Sequence, residues 1–367
     1  MKTILHVIDT TGPGGAETIF VDLAAGLDSS MYRSVALIRG PGWVQTALEA
    51  RRVKTFILDC KGSFNVRYLW QLLSLIRAEQ VDIVQAHLFG SGVYCGLAGL
   101  LAGKPVIATL HGTVDVGASE RFLAAKCALL RFGTRKVVAV SRALATMLAS
   151  RSRLPPSHMA VIYNGIETAR YDRQRSSRLK QQLMLPESAM LVGALGNIRP
   201  AKDYRSLLAA FSKVAARDTD ACLVIAGEGG GSLLAELKVQ RANLGLENRV
   251  HFIGYVDDPA DYLGNLDVFV LSSSTEGFSI ATIQAMAAGV PVVATRCGGP
   301  EEIVSSDEYG VLVPAGDADA LAGALIALME SPERRRTLAA AAKVVAQRRF
   351  DIAKMVSEYE ALYGQRC

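Results

Sequence analysis

At 367 residues the chain suggests about two domains, and 50% hydrophobic with 20% charged residues indicates a well-packed globular protein, excluding a disordered one. The net charge of +5 is unevenly spread: Met1–Arg175 holds 21 Lys and Arg against 12 Asp and Glu, and the remainder 19 against 23. A basic first half suits an anionic partner, either a phosphorylated substrate or an acidic membrane face, or is simply a solvated basic surface.

The six cysteines, Cys60, Cys95, Cys127, Cys222, Cys297 and Cys367, form no CxxC pair and no zinc spacing, so free thiols in a reducing cytosol are expected. Met1–Asp9 is a short strand-like run containing His6 and Asp9, not a secretory signal. The nearest approach to a spanning segment, Val93–Gly103, is too short. A soluble protein, at most membrane-associated, is expected.

Ile4–Ile8 reads as a buried strand, followed by TTGPGGAETIFVDLAAGL, a flexible turn at Gly12, Gly14 and Gly15 entering an amphipathic helix. A dinucleotide fingerprint would place Gly at position 17 and an acidic residue after the second strand, Val35–Ile38. Glu17 and Arg39 stand there instead, so the cluster is weak evidence for a nicotinamide site, and a plain strand-to-helix turn also accounts for it. Strands at Thr55–Leu58, Ile83–Ala86, Val106–Thr109 and Val137–Val140 alternate with helical patterns, which gives a doubly wound parallel sheet. His111, in TLHGT, falls at a strand's carboxyl end, where open parallel sheets bind ligands, although a lone histidine is usually structural. His87 also follows a strand and reads as structural or acceptor-facing. The basic amphipathic stretch Arg121–Lys136 suits an anionic membrane surface or an ordinary packed helix equally. Pro155 and Pro156 mark a loop, and the charged RYDRQRSSRLKQQ from Arg170 is the linker candidate.

The second half repeats the alternation, with strands at Leu191–Leu195, Leu223–Ala226 and Val250–Ile253. The first leads into GNIRPAKDYRSLLAAF, where Arg199 suits bidentate phosphate capture and Lys202 a point-charge contact, with surface solvation the plainer alternative. The strings DTD (Asp218–Asp220) and DAD (Asp317–Asp319) look like a metal-binding DxD. One lies in a polar turn and the other at a helix start, so turn and capping roles explain both. With no His/Cys/carboxylate cluster either, no essential metal is expected. Arg334–Tyr363 is helical by pattern.

The stretch Leu266–Val304, LDVFVLSSSTEGFSIATIQAMAAGVPVVATRCGGPEEIV, organises this half. Val268–Leu271 is a buried strand, Ser279–Ala288 a helix stopped by Gly289 and Pro291, and Pro291–Ala294 the next strand, which together make a parallel crossover. Glu276 and Gly277 therefore fall at a strand's carboxyl end, and the amides of Gly277, Phe278, Ser279 and Ile280 form an anion site at the helix start. A lone carboxylate beside an anion site points to a ligand carrying both phosphate and hydroxyl groups.

This stretch closely resembles the donor-site signature of the retaining, GT-B-fold glycosyltransferases of family 4, which runs as EGFxxxxxEAMAxGxPVVAT. Glu276 fits the first glutamate of that signature, and Gln284 stands where the second is expected. Val161–Gly165 likewise resembles the family's strand at the domain crossover, and the resemblance implies further roles. Gly14 and Gly15 of the GGAE loop would lie near the donor phosphates and the acceptor, and His111 would contact the donor sugar at the reaction centre. Arg199 and Lys202 would meet the donor diphosphate, although Asn197 occupies the place after the glycine where the family's arginine is common, so Lys202 fits better than Arg199. Gly254 and Tyr255 would lie beside the nucleotide base, and residue 284 would hold the ribose hydroxyls.

The expected architecture is thus α/β, GT-B, with two Rossmann-like doubly wound parallel-sheet domains facing a cleft. Residues 1–172 would bind the acceptor, with a terminal helix at about 346–367 packing back on them, and 173–345 would bind the donor. The expected reaction moves a sugar from a nucleotide-diphosphate sugar, a UDP-sugar in this reading, to a hydroxyl of a glycan or lipid-linked acceptor. Retention of configuration, no cofactor beyond the co-substrate, no nucleic-acid partner and work in the cytoplasm at the inner membrane face complete it. The alternatives are another GT-B enzyme, a nucleotide-sugar epimerase or phosphorylase, and an inactive nucleotide-sugar-binding homologue.

Overall fold

Short aliphatic and β-branched runs between turn signals become strands, and the amphipathic segments between them become helices. The structure, a computed structural model, describes all residues except 60–64, 113–121, 153, 219 and 366–367. Contacts divide the chain into two units, Met1–Gly165 with Ile352–Cys367, and Ile166–Asp351. The sequence reading places the corresponding junctions at 172/173 and about 346.

The first unit holds a parallel sheet of β1 (Lys2–Ile8), β2 (Tyr32–Ile38), β3 (Lys54–Ile57), β4 (Ile83–His87), β5 (Val106–Leu110), β6 (Lys136–Ala139) and β7 (Met159–Val161), in the order β3-β2-β1-β4-β5-β6-β7. Strand order reverses between β1 and β4, the switch point at which such sheets bind ligands. Its core packs Leu5, Val7, Val35, Leu37 and Val84 against the helix Val66–Ala78. The helix Ile352–Gly364 also belongs to this unit and buries Tyr359 and Tyr363. The strand expected at Val161–Gly165 lies earlier and is shorter, β7 ending at Val161.

The second unit holds β8 (Leu191–Leu195), β9 (Cys222–Ala226), β10 (Val250–Gly254), β11 (Val268–Leu271), β12 (Val292–Arg296) and β13 (Val311–Pro314), parallel and ordered β10-β9-β8-β11-β12-β13. Here the switch point lies between β8 and β11. The core packs Leu207, Leu208, Phe211 and Val214 of one helix beside Leu321, Leu325 and Leu328 of another on one face of the sheet. The linker candidate is pinned to this unit. Arg173 reaches Asp258 at 2.7 Å, Arg175 reaches Asp267 at 2.8 Å, and Lys343 pairs with Asp172 at 2.6 Å.

The helical stretch expected over Arg334–Tyr363 is two helices, Pro332–Arg349 and Ile352–Gly364. The break is held by the returning chain: the Ile166 amide donates to the Phe350 carbonyl at 2.9 Å, and Thr168 Oγ1 donates to Asp351 at 2.5 Å. Both DxD strings have local roles. Asp317 caps the helix Ala318–Met329 by accepting from the Ala320 amide, and Asp218 accepts from the Asp220 amide.

Candidate active site

The two loops leaving the switch point of the second sheet are sewn together by serines. Ser272 Oγ donates to the Lys202 carbonyl at 2.8 Å, and the Ser274 amide donates to the Ala201 carbonyl at 2.8 Å. The polar SSST run after β11 thus fixes the turn Pro200–Lys202 after β8. The result is a direct contact between two of the expected site residues, Lys202 Nζ donating to Glu276 Oε1 at 2.5 Å, with Ser273 Oγ donating to the same oxygen at 2.8 Å. Their side chains are 21% and 15% exposed, so the pair is shielded from water yet reachable.

Glycines make this approach possible. A Cβ on Gly196, which has φ +158°, would come within 2.8 Å of Lys202 Cε, so only glycine lets the lysine stem cross β8's end. On the other side, a Cβ at Gly299 would lie 2.4 Å from the Gly277 carbonyl oxygen. Here the backbone of Glu276 bridges to the GGPEE loop: its amide donates to the Cys297 carbonyl at 3.1 Å, and its carbonyl accepts from the Gly299 amide at 3.0 Å. Glu301 Oε2 accepts from the amides of Cys297 and Gly298, locking that loop. Burial beside Glu276 and Glu301 pushes the Cys297 thiol up to about 12, so it is not a nucleophile at neutral pH.

The helix Ile280–Ala287 follows, with Ser279 as N-cap accepting from the Thr282 amide at 3.3 Å. The amides of Ile280 and Ala281 precede any intrahelical acceptor, so the helix start offers hydrogen-bond donors to an anion. Gln284 lies one turn along from Ile280, on the same face, and is 9% exposed. Arg199 is exposed at the head of the Pro200–Lys202 turn. Gly254, with φ +74°, ends β10 and accepts from the Gly227 amide at 2.7 Å, and Tyr255 beside it is exposed. Among the described residues, no group of three His, Cys, Asp or Glu side chains gathers to hold a metal ion.

The first unit's switch point has a different character. Gly14 caps the helix Gly15–Gly26, and the Glu17 carboxylate folds back over it. His111 and His87 meet edge to edge with their ring planes 19° apart, His87 Nδ1 and His111 Nε2 lying 3.0 Å from each other. Burial lowers the pKa of His111 to about 4 and that of His6 to about 3, so all this imidazole is neutral at pH 7. Behind the pair, Gln85 Nε2 donates to Thr109 Oγ1 at 2.9 Å, and Thr109 Oγ1 meets Tyr359 OH at 2.9 Å.

Two features escaped the sequence reading. His87 touches His111, and Asp9, at the end of β1, is held above the usual carboxylate range by burial against the pull of Arg39. A Cβ on Gly90 would come within 2.4 Å of the Asp9 carboxylate, so Gly90 admits it. The available signal was position, since both follow strands that flank the switch point.

This double doubly wound architecture, with its ion pair at a helix start, agrees with the comparisons. Residues 176–345 match the model of the glycosyl transferases group 1, and residues 13–170 match that of glycosyltransferase family 4. The N-acetyl-alpha-D-glucosaminyl L-malate synthase of Bacillus anthracis is 30% identical over 300 residues, covering 80% of this chain and 77% of that protein. The lipopolysaccharide core biosynthesis mannosyltransferase LpsB of Rhizobium meliloti is 33% identical over 211 residues, covering 55% and 60%. Among solved structures, Anabaena Alr3699/HepE in complex with UDP-glucose aligns with a TM-score of 0.88 at 25% identity, covering 100% of both chains. The chain belongs to the family 4, group 1 glycosyltransferases, and its fold is GT-B.

Proposed function

We propose that this enzyme transfers a sugar from a nucleotide-diphosphate sugar, a UDP-sugar, to a hydroxyl of a glycan or lipid-linked acceptor in cell-surface polysaccharide or glycolipid assembly, retaining the anomeric configuration. The observation that carries this reading is the Lys202–Glu276 pair set against the start of the helix Ile280–Ala287. It puts a cation and helix-start amides for a diphosphate next to a carboxylate for sugar hydroxyls. UDP-glucose bound by the Anabaena relative supports the donor class, and the lipopolysaccharide role of the Rhizobium relative supports the pathway class.

In this reading Lys202, Arg199 and the amides from Gly277 to Ile280 stabilise the charge that grows on the departing diphosphate, the electrostatic term that usually dominates. Glu276 holds the sugar's hydroxyls and fixes its orientation. Gly254 and Tyr255 flank the base, Gln284 meets the ribose, and the Gly14–Gly15 loop serves the phosphates and the acceptor. His111 acts on the reacting sugar. The leaving phosphate oxygen takes the acceptor's proton in a front-face displacement, with no covalent enzyme intermediate and no metal ion. Peripheral contact with the anionic inner membrane face fits the helix Leu123–Gly133, where Phe122 and Phe132 are both 70% exposed near Lys126 and Arg131. Among the described residues, no helix is long and apolar enough to cross a membrane.

A donor screen that measures nucleotide release, with and without candidate acceptors, tests the proposal. UDP release that rises with a hydroxyl acceptor supports it. An acceptor-independent change of the UDP-sugar, or a need for free phosphate, would replace it with epimerase or phosphorylase chemistry. Run in EDTA, the same assay should keep its rate, and loss restored by magnesium or manganese would overturn the metal-free mechanism.

A further inference from the structure

The donors and acceptors in the buried chain behind His111 can be assigned one by one. Gln85 Nε2 lies 3.3 Å from the Ala86 carbonyl oxygen, which only accepts, so this end of the amide is the nitrogen. The other end, Oε1, accepts from Tyr363 OH at 3.1 Å, which agrees. His87 Nε2 sits 3.4 Å from that same NH2 group. A proton on Nε2 would point at the amide's protons, so Nε2 is bare. Burial, with His111 and His6 close by, lowers the pKa of His87 well below its ordinary value and keeps the ring neutral. Its single proton is then on Nδ1, 3.0 Å from His111 Nε2.

We propose that His87, oriented by Gln85, is a positioning residue that fixes His111 as the tautomer protonated on Nδ1, so that His111 serves the reaction as a hydrogen-bond donor and not as the base. This rests on the role given to His111 under the proposed function. His111 Nε2 is occupied as an acceptor, and burial holds the ring neutral, with its pKa lowered to about 4. The acceptor's proton therefore has no place on Nε2. As the bond from the anomeric carbon to the leaving phosphate oxygen breaks and the bond to the acceptor oxygen forms, that proton passes to the phosphate. The register supports the relay: His87 pairs with Thr109 across β4 and β5, and Gln85 lies two residues before His87 on the same face.

The test is the tautomeric state itself. Long-range proton–nitrogen correlation spectra of the full chain, labelled with 15N-histidine, separate the two tautomers, and five histidines can be assigned by substitution. We expect Nδ1–H on both His87 and His111. A proton on His111 Nε2 in the wild-type protein overturns the relay whatever the activity. In kinetics, His87→Phe should lower kcat about tenfold with the donor KM unchanged. His87→Asn, whose amide can donate from near the Nδ1 position, should recover most of that loss. Equal loss in both variants, each shown folded by its thermal transition, also overturns it. If His87→Phe does not fold, the wild-type spectrum alone decides. Nδ1–H on His111 in a chain that transfers sugar to no acceptor supports the relay and sinks the transferase reading instead.

Discussion

The two switch points of this molecule occupy equivalent places in two parallel sheets and hold different chemistry. Between β8 and β11 the loops carry charge at the protein's surface layer: Lys202 and Glu276 meet at 2.5 Å, in the loops that lead to the start of the helix Ile280–Ala287. Between β1 and β4 the polar groups are buried and neutral: His6, His87, Gln85 and Thr109 are all fully buried, and hydrogen bonds link the last three and continue into Tyr359 and Tyr363. The sheet decides where a site can be. What the site does is decided by which side chains the loops present and whether water reaches them. A partly exposed ion pair can exchange partners with a charged ligand, whereas a buried neutral network fixes tautomers and orientation.

The sharpest way to break this contrast is at Glu276. Glu276→Ala should lower transfer at least about a hundredfold, because it removes the group proposed to orient the sugar. The fold should survive, since the residue lies in a loop and its backbone contacts to Cys297 and Gly299 do not need the side chain. Turnover at the wild-type level would end the assignment of the donor site.

At the other switch point, His111→Ala should lower kcat by about tenfold or more and leave the donor KM nearly unchanged, as expected of a contact made in the transition state. A rise in KM with kcat unchanged would show His111 to be a ground-state binding residue. Paired with the Glu276 variant, this separates the charged switch point from the neutral one.

Acid should also tell the two units apart. His6, His87 and His111 have folded-state pKa values depressed by burial, to about 3, well below normal, and to about 4. The unfolded chain takes up protons near pH 6.5, while the folded unit stays neutral until much lower pH. Stability is therefore full above about pH 6.5 and falls as the pH drops toward 4, by roughly 1.4 kcal/mol per pH unit for each histidine that stays uncharged. Both tryptophans, Trp43 and Trp70, lie in the first unit, so tryptophan fluorescence in denaturant at pH 7 and pH 5 reports that unit alone. A midpoint that does not move would mean that these rings are not neutral when folded.

The contrast also explains what could be read from the sequence. Alternating apolar runs made both sheets legible, and the EGF string marked the charged loop, because a carboxylate just before a helix start leaves a local signature. The short strand Val311–Pro314 was missed because it lies at the sheet edge, is only partly buried and has little alternation to show. The buried network was missed for a deeper reason. His87 acquires a role only when β4 and β5 pair in register and bring His111 to it, and Tyr363 arrives from 278 positions away. No local pattern encodes a contact of that kind.

The smallest expected effect is at Gln284, where the chain departs from the family signature it otherwise follows. The residue is 9% exposed and one helical turn from the anion site. A carboxylate there could accept from both ribose hydroxyls with its charge assisting, whereas glutamine offers one accepting oxygen and an amide that only donates. One hydroxyl can turn and accept from that amide, so the contact is altered and not lost. The difference between a charged and a neutral hydrogen bond is about 1 kcal/mol, roughly fivefold in affinity. Gln284→Glu should therefore bind donor at least as tightly as the wild type by calorimetry. Its free form should melt slightly lower, because a carboxylate is then buried with no ribose to satisfy it. Saturating donor should close that gap in melting temperature. Binding ten times weaker would mean that the pocket already supplies an acceptor facing the Gln284 amide. Gln284 would then be an adaptation to another nucleotide, and the UDP-sugar assignment would be the one to give up.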